Sequence, residues 1–137
     1  MGYSKAGFKA ARELCGLSQL DVANACDVRV LAVKKWEKPG GAEPPQDAWD
    51  FLESCIDAQN EAVECAMSAA IARGGAVQIA YYRSQAQYDD LGSDPGPYGM
   101  ANANARLVAH RLRALGFHVD FSYPDDEENM YHERDES

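Results

Sequence analysis

"GLSQLDVANACDVRVLAVKKWEK", residues 16–38, decides the reading of this chain. Ser18 is placed to cap a short helix through its hydroxyl, and Val22, Ala23 and Cys26 then fall on one inward side. Asp27 takes a turn, because its short polar side chain tolerates a left-handed backbone. A further helix is expected over 29–37, with Val33 and Trp36 inward. Upstream, Ser4 caps a helix to about residue 15 that sets Phe8, Ala11, Leu14 and Cys15 on one face, and Gly16 stops it. Leu17, Val22, Ala23, Val28, Val33 and Trp36 make the expected shared core, with Ala23 small enough for the second and third helices to cross closely.

If those residues turn inward, Arg29, Val30, Leu31, Lys34, Lys35 and Lys38 turn outward on the third helix. A bracing helix, a second helix and a third with exposed cations is the plan of a helix-turn-helix, whose third helix enters the major groove of DNA. The chain as a whole has a net charge of −9, which argues against a polyanionic partner until the charge is sorted by position. Residues 1–45 hold seven Lys/Arg against five Asp/Glu, a balance of +2, whereas 46–73 stand at −5 and 124–137 at −6. Residues 74–123 are neutral. A phosphate within a Debye length of about 8 Å feels the local cations far more than a distant acidic segment, so acidity elsewhere does not exclude DNA.

At this point residues 5–45 resemble the lambda-repressor/Cro-type (XRE) helix-turn-helix family. The likeness rests on Arg12, "LSQ" at 17–19, Val22-Ala23, Val28, Val33 and "WE" at 36–37. The resemblance implies an Arg12–Glu37 ion pair bracing the unit, a phosphate contact from Gln19, and base-reading positions at Val30, Leu31 and Lys35. Three departures stand out: Asp27 replaces the usual turn glycine, Arg29 replaces a Ser/Thr cap, and Val30 and Leu31 offer base edges no hydrogen bond. What remains for direct readout is apolar contact with thymine methyls and Lys34 or Lys35 on guanine.

"KPGGAEPP" at 38–45 ends the helical run, and Pro45 suits the first position of a long helix to about residue 73. Trp49, Leu52, Ile56, Val63, Ala66 and Ala70 form its apolar seam, interrupted by Gln59. After Gly74-Gly75 the period drops to two. "AVQIAYY" aligns Val77, Ile79 and Tyr81, and "GFHVDFSY" aligns Phe117, Val119, Phe121 and Tyr123. Between these strands lie a short helix near 84–91, the loop "GSDPGPYG", and a helix over about 100–115 with Leu107, Val108, Leu112 and Leu115 inward. Residues 124–137, "PDDEENMYHERDES", hold too little apolar surface to fold and are read as a disordered acidic tail.

The fold expected is therefore mainly α with a small α+β C-terminal part: a helix-turn-helix domain at 1–44, a connecting helix at 45–73, and an α+β dimerisation unit with two short strands at 74–123. Two strands alone are marginal, so a homodimer through the long helix and C-terminal unit is expected. "YYRSQAQYDDL" and "NARLVAHRLRALGFHVDF" are similar to the C-terminal parts of YdiL-like and anti-CRISPR-associated regulators, a resemblance that implies a dimeric repressor, often of its own operon.

Cys15, Cys26, Cys55 and Cys65 have no CxxC or histidine spacing and read as reduced, mostly buried thiols; neither a metal nor a cofactor is called for. Trp36 and Trp49 read as core, and Tyr81, Tyr82 and Tyr88 as packing or interface residues rather than base-stacking platforms. His110, His118 and His132 share no ligand spacing, and Ser84, Ser93 and Ser122 lack an evident base, so no catalysis is expected. The run "CAMSAAIARGGAVQIAYY" is broken by Arg73 and two glycines and does not read as a membrane span, and the N-terminus lacks a signal region, so the expected compartment is the cytoplasm. The expected partner is double-stranded DNA. The alternative is an antitoxin-like or adaptor protein whose helix-turn-helix no longer reads DNA and instead meets a protein partner.

Overall fold

The computed structural model describes residues 4–92 and 94–125. Among these the chain forms six helices and two short strands: α1 (Lys5–Leu14), α2 (Gln19–Cys26), α3 (Val30–Glu37), α4 (Gln46–Arg73), β1 (Val77–Ala80), α5 (Gln85–Leu91), α6 (Tyr98–Ala114) and β2 (Val119–Ser122). The fold is mainly helical with a small two-stranded sheet near the C-terminus. Two compact units divide within α4, one up to Ala62 and the other from Val63.

In the first unit two serines cap helices, as the sequence predicts. Ser4 accepts the Gly7 amide at 2.9 Å, and Ser18 accepts the Asp21 amide at 3.0 Å while the Asp21 carboxylate accepts the Ser18 amide at 2.8 Å. That reciprocal pair is a capping box. Asp27 has φ 54° and ψ 48°, the left-handed turn that ends α2. Phe8 is fully buried and meets both tryptophans edge-on, Trp36 at 6.1 Å and Trp49 at 5.0 Å. Around this aromatic centre Cys15, Leu17, Val22, Ala23, Val33 and Leu52 are buried.

Several expected core positions are corrected. Leu14 is 56% exposed, and Arg12 is buried in its place. At about 100° per residue, Leu14 lies roughly 120° from Phe8 around the helix, whereas Arg12 lies only about 40° from it. Val28 is 37% exposed; it follows the left-handed Asp27 with its amide tied back to the Ala23 carbonyl at 3.0 Å, which keeps it at the rim. In α4, Ala66 is exposed and Ile56 only half-buried. Gln59 does not interrupt the seam but belongs to it: it is 3% exposed, and its amide donates to the Leu14 carbonyl at 2.9 Å. α4 begins one residue later than expected, with the Pro45 carbonyl accepting from the Ala48 and Trp49 amides.

The second unit is built on two parallel strands, paired Val77↔Val119 through Ala80↔Ser122. Parallel neighbours require a crossover, which α5 and α6 supply. Val63 and Ala70 of α4, Val77, Val119, and Val108, Ala109 and Leu112 of α6 form its core, with Met67, Ile79, Leu107, Phe117 and Phe121 packed against them. Ser84 caps α5, accepting the Gln87 amide at 3.2 Å. Buried Asn102 accepts the Tyr82 amide at 2.9 Å and donates to the Tyr82 carbonyl at 2.8 Å, so one side chain replaces a strand neighbour where β1 ends. α6 starts at Tyr98, two residues earlier than expected, and Leu115 is 60% exposed. That leucine is the cap residue beyond the last turn, where the core has already ended.

Cys15 and Cys55 are buried, but Cys26 is half-buried and Cys65 exposed, so the thiols are less uniformly internal than expected. Burial, with the nearby Cys55 as a smaller cause, pushes the Cys15 thiol up to about 11. The expected tail enters the described residues only at Pro124 and Asp125, where Asp125 pairs with Arg83 at 3.2 Å and accepts from the Gln87 amide. Residues 126–137, His132 and Ser93 lie outside the described residues. No described helix is long and apolar enough to cross a membrane.

Candidate nucleic-acid interface

α3 is held at its C-terminal end by two side chains of α1. Arg12 donates to Glu37 twice, Nε to Oε2 at 2.6 Å and an Nη to Oε1 at 2.9 Å, and its other Nη donates to the Leu17 carbonyl at 2.8 Å. The two side chains are only 9% and 4% exposed, so the ion pair implied by the sequence resemblance is present, bidentate and buried. Burial alone would raise the Glu37 carboxyl. The Arg12 and Gln19 hydrogen bonds, with the charges of Arg12 and Lys9, outweigh it and hold the group below its ordinary 4.5.

Gln19 is therefore part of the brace, donating to Glu37 Oε1 at 3.1 Å. It remains half-buried at the start of α2, and an amide nitrogen carries a second hydrogen for a phosphate. The helix end itself is a poor anion site. Asp21 brings its own carboxylate to the first turn of α2 and occupies the Ser18 amide, so an anion arriving there meets a negative charge.

Lys5 supplies a contact that the sequence did not announce. Its ammonium donates to the carbonyls of Lys35 and Trp36, each at 3.0 Å, and to that of Ala42. The last carbonyls of a helix lack partners in the helix and carry partial negative charge, so this one cation closes α3 and fixes the loop behind it. Gly41 fits against the same carbonyl, since a Cβ there would lie 2.4 Å from the Lys35 oxygen.

With α3 so fixed, Arg29, Leu31, Lys34, Lys35 and Lys38 are exposed and Val30 is half-buried. Positions 31, 34 and 35 share one helical face, and Lys38, expected on the same helix, instead follows it as an extended cap residue. Among the described residues no carboxylate pairs with Lys34, Lys35 or Lys38. Arg29 sits at the N-cap of α3 with no side-chain cap bond, which leaves its guanidinium outside the helix. Leu31 is 57% exposed on the same face as Lys34 and Lys35. The chemistry offered is thus three lysine ammoniums and one guanidinium for phosphate or guanine, and two aliphatic groups for apolar contact.

The chain matches no protein-family model and no curated protein sequence. Among the described residues no group of three His, Cys, Asp or Glu converges on a point where a metal ion could be held. The aromatic cluster is arranged for packing: Tyr82 meets buried Tyr88 edge-on at 4.9 Å, and Tyr81 meets Phe121 at 5.3 Å while its hydroxyl accepts from Arg106 at 2.7 Å.

Proposed function

We propose that this chain is a DNA-binding transcriptional regulator of the XRE helix-turn-helix type, acting in the cytoplasm as a homodimeric repressor. The observation that carries the reading is the set of three outward cations, unpaired among the described residues, made by Lys34 and Lys35 on α3 and Lys38 at its C-cap, on a helix braced by a buried Arg12–Glu37–Gln19 network. A duplex in contact with that set places phosphates against Lys34 and Lys38 and a base edge against Lys35. Gln19 and Arg29 flank it. Two copies would present their α3 helices about 34 Å apart, one duplex turn, to a palindromic operator.

The mechanism needs no bond-making. Occupation of the operator excludes transcription, affinity comes from phosphate neutralisation, and discrimination comes from Lys35 and the aliphatic pair Val30 and Leu31. The negative balance of 46–73 disfavours duplex along that part of the chain and favours the α3 face. Selection of bound sequences from random duplexes tests the reading. A palindromic consensus, lost or altered in Lys35→Ala, supports it; a Lys35→Ala protein with unchanged preference and affinity refutes the recognition-helix assignment.

A second reading is favoured by one observation, the exposure of Leu31 together with Leu20 at 56% on α2. Apolar side chains on this face suit a protein partner, and the chain would then be an antitoxin-like or adaptor module.

A further inference from the structure

The two edges of the small sheet are not equivalent. In this parallel ladder the Val77 amide donates to the His118 carbonyl and the Tyr81 amide to the Ser122 carbonyl, each at 2.9 Å. Residues 77, 79 and 81 of β1 therefore turn their backbone groups toward β2, and Gln78 and Ala80 turn theirs away. On β2 it is Val119 and Phe121 that face outward, and that edge is guarded. Arg113 donates to the Val119 carbonyl at 2.9 Å and lies 5.5 Å over the Phe121 ring, and Asp120 accepts the Phe121 amide at 2.8 Å.

On the β1 side a guard stands only beyond the strand, where Asn102 takes the outward amide and carbonyl of Tyr82. Gln78 and Ala80 are exposed, and among the described residues their outward amides and carbonyls have no partner. An open edge of this kind accepts another strand. The four free groups are arranged symmetrically about Ile79, so an antiparallel copy of the same strand satisfies all of them in one register. Gln78 then pairs with Ala80 of the other copy, twice, and the twofold axis passes between the two Ile79 residues. That register sets a long side chain opposite a small one on the outer face and two β-branched side chains opposite each other on the core face. Neither Gln78 nor Ala80 carries charge, so self-pairing brings no repulsion. Along β2 it would set Asp120 and Arg113 against their own copies.

We infer that β1 pairs antiparallel with β1 of a second copy of this chain, making one four-stranded sheet in the order β2–β1–β1–β2. This deepens the dimeric reading above and rests on it. Residues carrying the contact are Gln78, Ile79 and Ala80.

Sedimentation equilibrium of the full chain, with Ala80→Pro and Asp120→Ala variants, tests the inference. Proline at 80 removes an outward donor and leaves the inward ladder of 77, 79 and 81 intact. Two backbone hydrogen bonds vanish from the symmetric contact, and the dimer should weaken by about thirtyfold or more, whereas Asp120→Ala should leave it unchanged. Ile79→Cys in a Cys65→Ser background should form an intermolecular disulfide under mild oxidation, which keeps the test decisive if Ala80→Pro fails to fold. A monomeric wild-type chain refutes both the dimer and the strand pairing. A dimer indifferent to Ala80→Pro, or one in which Ile79→Cys does not cross-link, refutes the strand pairing alone and leaves the dimeric reading standing.

Discussion

Replacing Arg12 by methionine removes the cation at the centre of the first unit and keeps an apolar stem of similar length. Three hydrogen bonds go with it, two to Glu37 at 2.6 and 2.9 Å and one to the Leu17 carbonyl at 2.8 Å. Glu37 is left with its side chain 4% exposed and only Gln19 as a neutral partner. Leaving one member of a buried ion pair uncompensated costs about 3–5 kcal/mol. A unit of about sixty residues has about 3–9 kcal/mol in total, so the variant should sit near its unfolding midpoint. Urea unfolding followed by tryptophan fluorescence reports on this unit, since both tryptophans, Trp36 and Trp49, lie in its core.

The pH dependence sharpens the test. In the wild-type chain Glu37 is held below 4.5 when folded, so its contribution is complete above 4.5 and is lost as pH falls through the lower folded value. Without Arg12 the burial remains and only the Gln19 hydrogen bond and the Lys9 charge oppose it, which moves the folded carboxyl upward. Acid then neutralises Glu37 in the variant, and the gap between variant and wild type should narrow as pH falls. A loss below about 1 kcal/mol at neutral pH would show a pair of the weak, surface kind and refute the brace. A gap that widens in acid would refute the electrostatic cause.

Lys5→Met should destabilise the first unit by about 1–3 kcal/mol, as expected for hydrogen bonds to a charged group at a helix C-terminus; equal urea midpoints would count against the closure of α3 by Lys5. Gly41→Ala should lower the same midpoint, because its methyl group would meet the Lys35 carbonyl oxygen at 2.4 Å. Arg29→Ser supplies the side-chain cap that α3 lacks, so it should gain about 1 kcal/mol of stability while weakening DNA binding. A stabler protein with unchanged DNA affinity would remove Arg29 from the interface. Lys38→Ala should weaken all duplex sequences alike and lower the salt slope by about one per copy, measured by anisotropy at several salt concentrations.

Where local chemistry governs, the sequence was readable. Ser4 and Ser18 cap helices, Asp27 makes the left-handed turn, and "KPGGAEPP" separates α3 from α4. The outward set of α3 followed from its inward pair Val33 and Trp36, since a helix has little freedom once one face is assigned. Contacts far apart in sequence were another matter. Lys5 reaches carbonyls thirty and more residues away, and Gln59 reaches Leu14 across forty-five; a lone lysine or glutamine carries no sign of such a partner. Gln19 read as a phosphate ligand and is also a second donor to Glu37. Strand direction was equally hidden, because period-two alternation is the same for parallel and antiparallel pairing. Val28 and Leu115 failed as core residues because each lies at an element's end, where apolar character no longer implies burial, and Leu14 because its helical phase turns it away from Phe8.

The central claim, that the α3 lysines meet DNA, is tested most directly by titrating the full chain with random duplex at low and high salt. Two copies bringing Lys34 and Lys38 to the backbone would neutralise about four phosphates, so a fourfold rise in salt should weaken binding by about a hundredfold. The Lys34→Ala/Lys35→Ala/Lys38→Ala protein should lose that dependence. Absence of binding at low salt, or binding that ignores salt and survives the triple substitution, would contradict the account.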